Sequence, residues 1–177
     1  FSTQAFTINL TDINEGSVGS VSDSNATANF VLENASNGTV VGVQALAADP
    51  DGTDVVTYSL DDNAGGRFTI DTNTGIVTVN GAIDREAAAS YNITIRATST
   101  DTSSSTQVFT INIGDVDEFN VGAVTDSNAA ANSVVENAAN GTVVGVQALA
   151  ADADATTNTI TYSLFDNDGG RFAIDAN

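Results

Sequence analysis

The sequence predicts an all-β protein in which a seven-strand Greek-key sandwich is followed in tandem by an incomplete second copy. Two observations support this prediction. One segment repeats along the chain at an offset of 103 residues, and each copy consists of short β-rich runs separated by turn signals. No convincing helical pattern interrupts these runs, so an antiparallel β-sandwich is the expected fold class.

The repeat is close to exact over much of its length. Residues 6–53 recur at 109–156 with 34 of 48 positions identical, and after one inserted residue 57–73 match 161–177. A repeat of this length corresponds to one domain. The expected divisions are 1–18 as the last strand and linker of a preceding repeat, 19–117 as a complete domain, and 118–177 as the N-terminal part of a second domain.

The strands of the first copy follow from its apolar periodicity. Apolar and polar residues alternate clearly at 91–97 and 109–113, which is typical of half-buried strands. The segment DTNTG at 71–75 predicts a tight hairpin turn, because Asn and Gly tolerate positive φ. Five further β-rich runs complete the set, at 29–32, 39–46, 54–60, 67–71 and 75–79. Their Phe, Ile, Val and Tyr side chains are expected to form the core.

Composition excludes several functional classes. The chain has 23 acidic residues, four Arg, no Lys and no His, for a formal charge of −19. Such a charge argues against nucleic acid and anionic membranes as partners, because both require basic surface. No apolar run approaches the roughly 20 residues that span a bilayer, so membrane insertion is not expected. The absence of Cys excludes disulfides and thiol catalysis, and favours a bacterial source for an extracellular domain.

An enzymatic role is not expected. Carboxylate pairs of the kind that glycosidases use are abundant, but there is no His, no Cys and no cleft-forming insertion beside them. We therefore predict no catalytic residues and no organic cofactor site.

Several short motifs occur in a fixed order along one period. They are LEN (32–34), ADPDG followed by VTYSL (48–60), RFTIDTNTGIVTV (67–79), IDRE (83–86), YNITIRATSTD (91–101) and DVDEF (115–119). In order and spacing these motifs resemble the signature elements of cadherin repeats. The resemblance covers nearly the whole chain and implies an Ig-like, cadherin-type sandwich. It also implies calcium ions between successive domains.

The resemblance implies a ligand set for one complete calcium-binding junction. Calcium takes six to eight oxygen ligands in tolerant geometry, which suits clustered carboxylates. The implied side-chain ligands are Glu33, Asp84, Glu86, Asp115, Asp117, Glu118, Asp152 and Asp154, with main-chain oxygens from Val116 and Phe119. Asp117, Glu118 and Phe119 depart from the usual family residues, but a Glu can still chelate and Phe119 needs to offer only its carbonyl oxygen.

A second, weaker junction is implied near the N-terminus. Asp12, Asn14 and Glu15 occupy its linker, and they would face Asp49 and Asp51. Asp101 matches a late ligand of the family. We expect Asn14, Asp49, Asp51 and Asp101 to hold fewer ions than the complete junction.

Other acids carry no clear metal signal. The DSN segments that begin at Asp23 and Asp126 are interpreted as turns, with a minor ion-ligand role left open. The acids beside the Gly-Gly pairs are expected in loops; they are Asp61, Asp62, Asp166 and Asp168.

These expectations lead to two functional hypotheses. The first is a Ca²⁺-binding extender of a large bacterial surface adhesin of the RTX type, in which calcium at the junctions stiffens an extracellular rod for cell or surface adhesion and biofilm formation. The alternative is a cadherin-like module that binds polysaccharide or mediates homophilic contact between cells. Neighbouring repeats are the first expected partners. Because the second copy stops at Asn177, either strand exchange between chains or simple truncation would explain its missing strands.

Overall fold

The computed structural model describes residues 1–11, 13–154, 156 and 158–177. The chain divides into two compact units, Phe1–Gly114 and Asp115–Asn177. Ten strands and no helices occur among the described residues. The expectation of an all-β chain is therefore confirmed.

The first unit contains eight strands. They are β1 (Ser22–Asp23), β2 (Phe30–Leu32), β3 (Val40–Leu46), β4 (Val56–Asp62), β5 (Phe68–Ile70), β6 (Ile76–Val79), β7 (Ser90–Ser99) and β8 (Ser104–Gly114). The second unit contains β9 (Thr125–Asp126) and β10 (Ala148–Leu149), which pair with each other. The seven expected runs of the first copy all lie on β2–β8, and only the two-residue β1 has no counterpart among them.

Two four-stranded sheets make up the sandwich of the first unit. One has the order β1-β3-β6-β5 and the other the order β2-β8-β7-β4. All pairs within these sheets are antiparallel except β2 with β8, which run parallel. The N-terminal part of the domain therefore contributes one short strand to each sheet, and the wholly antiparallel expectation is wrong for this single pair.

The core lies between the two sheets and follows the alternation read from the sequence. On β7, Ile93, Ile95 and Ala97 are fully buried while the residues between them are only partly buried. Full burial of one Ile or Phe side chain contributes about 1.5–3 kcal/mol. The buried core consists of Val18, Val21, Val31, Val41, Val43, Ala45, Tyr58, Phe68, Val77, Val79, Ile83, Ile93, Ile95, Ala97, Ile111 and Ile113.

The second unit exposes the positions that form the core of the first. Val43 is 1% exposed and its counterpart Val146 is 51% exposed, and Phe68 is 1% exposed where Phe172 is 42% exposed. In the first unit, residues of β6, β7 and β8 share a core cluster with these side chains, and the second copy has no counterpart of residues 74–108, which contain β6, β7 and the first part of β8.

Acidic turn residues repeat between the two copies. Asp23 Oδ1 accepts hydrogen bonds from the N–H groups of Asn25 (3.0 Å) and Gln44 (3.1 Å). In the second copy, Asp126 Oδ1 accepts from Gln147 and Asn128, both at 3.0 Å. The N–H of Gln147, followed by that of Asn128, lowers the pKa of Asp126. Both DSN segments are therefore hydrogen-bonded turns, and each Asp also accepts a bond from a residue on or next to the paired strand, β3 in the first copy and β10 in the second.

The expected hairpin turn at 71–75 is present between β5 and β6. Asp71 Oδ1 accepts hydrogen bonds from Thr74 N (2.8 Å) and Asn73 N (3.0 Å), and Gly75 has φ = 70°. A side chain at this glycine would overlap the carbonyl oxygen of Ala45, so Gly is required there for space as well as for conformation.

Two of the acids expected in loops lie instead on β4. The strand continues to Asp62, which pairs with Thr94 after an irregularity in the register. Asp61 forms a two-point ion pair with Arg96, at 2.9 Å from Oδ1 to Nε and 2.5 Å from Oδ2 to Nη2. The loop expectation is wrong for Asp61 and Asp62, because pairing with β7 extends β4 to Asp62, close to the Gly-Gly pair. Asp166 and Asp168 do lie outside strands.

A pair of glycine substitutions tests the packing at the irregular start of β3. Gly38 (φ = 90°) and Gly42 (φ = 87°) are both left-handed, but an added Cβ meets nothing within 4 Å at Gly38 and overlaps the carbonyl oxygen of Ala28 at Gly42. We expect Gly38→Ala to lower the free energy of unfolding by about 1–2 kcal/mol and Gly42→Ala to lower it further. Urea denaturation measures both, and equal losses would contradict the account of Gly42.

The Asp61–Arg96 pair gives a pH-dependent prediction. The hydrogen bonds from Arg96 lower the pKa of Asp61 below 3.8. The stability that the pair contributes is therefore present above the unfolded-state pKa and is lost as the pH falls through the folded-state pKa. Because both side chains are over a third exposed, the effect is small. We expect Asp61→Asn to destabilise the chain at pH 6 and to have little effect near pH 2; the reverse order in denaturation would disprove it.

Candidate metal centre

Three carboxylates converge at the N-terminal end of the first unit. Asp49 and Asp54 lie in the loop between β3 and β4, and Asp101 lies at the tip of the β7–β8 hairpin. Their carboxylate oxygens lie within 4.8 Å of one another, and all three residues are partly buried. We refer to these three residues as the 49/54/101 cluster. Three like charges at this separation repel one another unless a cation or a proton neutralises them.

Asp49 presents an oxygen that the protein leaves unpaired. Its Oδ1 accepts a hydrogen bond from Asp51 N at 3.1 Å. Its Oδ2 is buried and has no hydrogen-bond partner among the described residues. Buried carboxylate oxygens are normally paired, because an unpaired one loses its hydration without compensation. A hard divalent cation with carboxylate ligands, such as Ca²⁺, satisfies such an oxygen, so the donor set fits calcium.

The hairpin tip holds Asp101 in a fixed orientation. Asp101 Oδ1 accepts from Ser103 N and Oδ2 accepts from Asn14 Nδ2, both at 2.8 Å. The hydrogen bonds of Ser103, through its hydroxyl and its N–H, lower the pKa of Asp101. Thr102 has φ = 77°, an unusual value for a β-branched residue. The turn therefore keeps an ionised carboxylate at the cluster. Asn14, which was expected to face Asp49 and Asp51, is hydrogen-bonded to Asp101.

Asp54 is the member of the cluster that sequence reasoning missed. The hydroxyl of Thr100 donates to Asp54 Oδ1, which ties this loop to the β7–β8 hairpin. The available signal was a third acid in the same short loop, three residues after Asp51. The equivalent loop of the second copy has no acid between Asp154 and Asp166, so the repeat itself gave no indication of this residue.

Asp51, the second acid of this loop that is expected to be a ligand, is hydrogen-bonded differently from Asp49. It is 5% exposed and accepts hydrogen bonds from Glu15 N (3.2 Å) and Gly16 N (3.1 Å). The carboxyl group and N–H of Glu15, together with the N–H of Gly16, lower the pKa of Asp51. Asp51 therefore binds the backbone that precedes β1. Asp12, the other acid expected in this linker, lies outside the described residues.

The opposite end of the first unit places Glu33 and Glu86 together. Asn34 is left-handed (φ = 57°) and donates its N–H to Ile83 O, while Glu33 N donates to Gly114 O at 3.0 Å. The 3%-exposed Glu33 is fixed by these two bonds, and a carboxylate oxygen of Glu86 lies within 4.8 Å of one of its own. These residues were expected to act together.

The IDRE segment is a turn around the carboxylate of Glu33. The backbone N–H of Arg85 donates to Glu33 Oε2 at 2.6 Å. Asp84 Oδ1 accepts from Ala87 N at 3.0 Å, so this exposed acid closes the turn. Arg85 therefore interacts with the carboxylate of Glu33 through its backbone N–H.

The second unit brings together four of its expected ligands. Asp154 is 2% exposed and accepts hydrogen bonds from Glu118 N (3.1 Å) and Phe119 N (3.2 Å). Burial raises the pKa of Asp154, but hydrogen bonds with these two N–H groups and with the carboxyl groups of Asp117 and Asp152 together leave the pKa lowered. Asp152 Oδ1 accepts from Asp154 N at 3.3 Å. Phe119 exposes its side chain, as expected for a residue that offers only backbone atoms.

Two linker acids of the second unit lie among other carboxylates that affect their charge state or leave an oxygen unpaired. A hydrogen bond with Asp154, and repulsion from Asp154, Asp152 and Asp115, raise the pKa of Asp117. Asp115 Oδ2 accepts from Thr156 N at 3.2 Å, and its buried Oδ1 has no hydrogen-bond partner among the described residues. Val116, the expected carbonyl ligand between them, is partly buried. The second unit thus repeats the unpaired carboxylate oxygen seen at Asp49.

Sequence comparison relates the chain to animal cadherins. The family model of the cadherin domain matches residues 28–114. Human protocadherin Fat 4 is 32% identical over 163 residues, which is 91% of this chain and 3% of that protein. Bovine cadherin-18 is 42% identical over 90 residues, which is 49% of this chain and 11% of the relative. The chain therefore spans only a small part of these relatives.

Structural comparison gives the same fold. Mouse cadherin-23 EC22-24 superposes with a TM-score of 0.72 at 28% identity, over 94% of this chain and 53% of that chain. The protocadherin gammaB7 EC3-6 cis-dimer structure superposes with a TM-score of 0.75 at 22% identity, over 96% and 43% of the two chains, which shows the fold alone. Among the described residues there is no apolar helix of the length needed to span a bilayer.

Cadherin domains are extracellular adhesion modules, not enzymes, and in general they bind Ca²⁺ at the junctions between domains. The fold, the family match over most of the first unit and the acidic clusters at its ends agree with one another. Residues 28–114 are therefore a cadherin domain, within a chain that has the cadherin sandwich fold.

Proposed function

We propose that this chain is a calcium-stiffened segment of an extracellular adhesion protein, in which Ca²⁺ at the ends of each repeat fixes the direction of the next. The observation that carries this proposal is the buried, unpaired Oδ2 of Asp49 beside Asp54 and Asp101. The ion would neutralise the cluster and occupy the position to which this oxygen points. The function of the segment would be mechanical, since a row of domains with fixed junctions transmits force and keeps its length better than a flexible one.

The other expected ligands have the same proposed role between neighbouring repeats. The unpaired Oδ1 of Asp115 and the raised pKa of Asp117 support it, because both mark carboxylates that lack a counter-charge. The full proposed set is Glu33, Asp84, Glu86, Asp115, Val116, Asp117, Glu118, Phe119, Asp152 and Asp154, with Asn14, Asp49, Asp51, Asp54 and Asp101 at the N-terminal end of the first unit.

Contact between copies of the chain is the second candidate function. It follows from the cadherin match over residues 28–114, because cadherins associate with copies of themselves. Sedimentation of the chain with and without calcium would detect it. Binding of polysaccharide has no support in the described residues. A bacterial adhesin with a role in biofilms stays a prediction from the lack of Cys, since the relatives reported above are animal proteins.

Calcium titration with a matched pair of variants tests the proposal. Asp49→Asn retains an oxygen for the Asp51 N–H but removes the charge at the unpaired oxygen. Asp62→Asn removes the same charge on β4 and likewise retains the oxygen that accepts from Ala64 N. We expect calorimetry to show that the parent chain binds calcium. In Asp49→Asn, the calcium affinity of one class of sites should fall by about tenfold or more, because the number of charged carboxylate ligands sets the affinity. In Asp62→Asn, calcium affinity should not change.

The same samples test the mechanical part of the proposal. Chelation is expected to lower the melting temperature and to shorten the particle in small-angle scattering. Absence of calcium binding by the parent chain, or identical isotherms for the two variants, would refute the assignment of the cluster. Unchanged scattering profiles would refute the stiffening role.

A further inference from the structure

Tyr58 links the two sheets of the first unit at the start of the loop that carries Asp49. It lies on β4, pairs with Ala97 on β7 and is 7% exposed within the hydrophobic core. Its hydroxyl oxygen accepts a hydrogen bond from the N–H of Ala47 at 3.0 Å. Ala47 directly follows β3, which belongs to the other sheet. Packed sheets lie about 10 Å apart, so the tyrosine ring crosses the core to reach this N–H.

The second copy forms the same bond across a loop of different length. The hydroxyl oxygen of Tyr162 accepts a hydrogen bond from the N–H of Ala150 at 3.1 Å. The two bonded residues are 11 positions apart in the first copy and 12 apart in the second, because one residue is inserted between them. The position of the hydroxyl relative to the start of the loop is therefore retained when the length of the loop changes.

The backbone of each tyrosine is also held in the same way. Tyr58 N donates to Thr72 O at 2.9 Å, and Tyr162 N donates to Ala176 O at 3.1 Å. Thr72 and Ala176 are equivalent positions of the repeat. Tyr162 forms its two bonds although it is only partly buried and lies outside a strand. These bonds are therefore local and do not require the complete core of the first unit.

The loop between β3 and β4 is held at both of its ends. At its start, Tyr58 accepts the N–H of Ala47. At its end, Val55 N donates to the hydroxyl oxygen of Thr100, and Thr100 N donates to Val55 O, both at 3.2 Å. Asp49 lies two residues after Ala47, and its buried Oδ2 has no hydrogen-bond partner among the described residues. The direction of the Asp49 carboxylate thus depends on backbone that Tyr58 holds.

We propose that Tyr58 is a positioning residue for the candidate metal centre, and that Tyr162 has the same role for Asp152. Neither tyrosine would coordinate the ion. Each holds the start of its acidic loop in one conformation before an ion binds, so less conformational freedom is lost on binding. This inference rests on the proposed calcium function, and it adds to that function two residues that lie outside the acidic motifs.

Calcium titration of Tyr58→Phe tests the proposal. The variant retains the ring in the core and removes only the oxygen that accepts the Ala47 N–H. We expect the calcium affinity of one class of sites to fall by about threefold to tenfold, somewhat less than the loss caused by removing a group that contacts a metal ligand directly. Ile95→Val is the control, because it removes a methyl group from a fully buried position on β7. It should lower the melting temperature and leave calcium affinity unchanged.

Amide hydrogen exchange by NMR measures the hydrogen bond itself. In Tyr58→Phe, the Ala47 amide should exchange about tenfold faster or more, relative to the Ala45 amide, because its acceptor is removed. The Ala45 amide is an internal reference, since it donates to Gly75 O at 2.9 Å. In Ile95→Val, the ratio of the two exchange rates should stay at its parent value.

Tyr162→Phe keeps the test decisive if Tyr58→Phe does not fold, because Tyr162 lies outside the complete core. It should speed exchange of the Ala150 amide and lower the calcium affinity of one class of sites. Parent values of both quantities in this variant would overturn the proposal.

Results for Tyr58→Phe separate failure of the proposal from failure of the calcium function. An unchanged ratio of the Ala47 and Ala45 exchange rates, or a calcium affinity lowered no more than in Ile95→Val, would overturn the proposal. Lack of calcium binding by the parent chain would refute the proposed function and with it the metal role of Tyr58. The Ala47 amide would then still show whether the tyrosine holds the loop.

Discussion

The excess of carboxylates is the constraint on which the rest of this structure depends. With 23 acids and four Arg in the chain, few acids can find a basic partner, and Asp61 with Arg96 is one that does. Most of the others that fold into the domain are satisfied by backbone N–H groups. Asp23, Asp71 and Asp51 each accept two or more such bonds, so negative charge is used to fix turns and to fasten the entry segment.

The candidate metal centre becomes clear against this pattern of satisfied acids. Asp49 differs from Asp51, two residues away, because one of its oxygens is buried without a partner. Residue type does not distinguish the acids that fix turns from those of the 49/54/101 cluster, since all of them are Asp. The distinction lies in whether protein donors satisfy every buried oxygen of the carboxylate. In this chain, we expect the cation to lie beside the buried carboxylate oxygen that has no protein donor among the described residues.

Most of the fold could be predicted from the sequence. Apolar and polar residues alternate strictly on β7 and β8, and the Asn and Gly residues of the 71–75 turn favour a hairpin, so few other secondary structures fit these segments. It could not predict β1, which is two residues long, or the parallel pairing of β2 with β8, which depends on how the short N-terminal strands divide between sheets. For the site, order and spacing of motifs gave Asp49 and Asp101. Asp54 was missed because its neighbours in space come from the distant β7–β8 hairpin. The different hydrogen bonding of Asp49 and Asp51 could not be predicted either, because motif spacing does not specify it.

The most direct test of the central claim is a crystal structure of the chain grown in calcium, with the ion located by its anomalous scattering. We expect a peak about 2.3–2.6 Å from Asp49 Oδ2, the usual distance between calcium and oxygen, with oxygens of Asp54 and Asp101 also in its coordination sphere and the Asp51 carboxylate still bound to Glu15 N and Gly16 N. An Asp49 Oδ2 that instead meets a protein donor, with calcium absent from the cluster, would contradict the account.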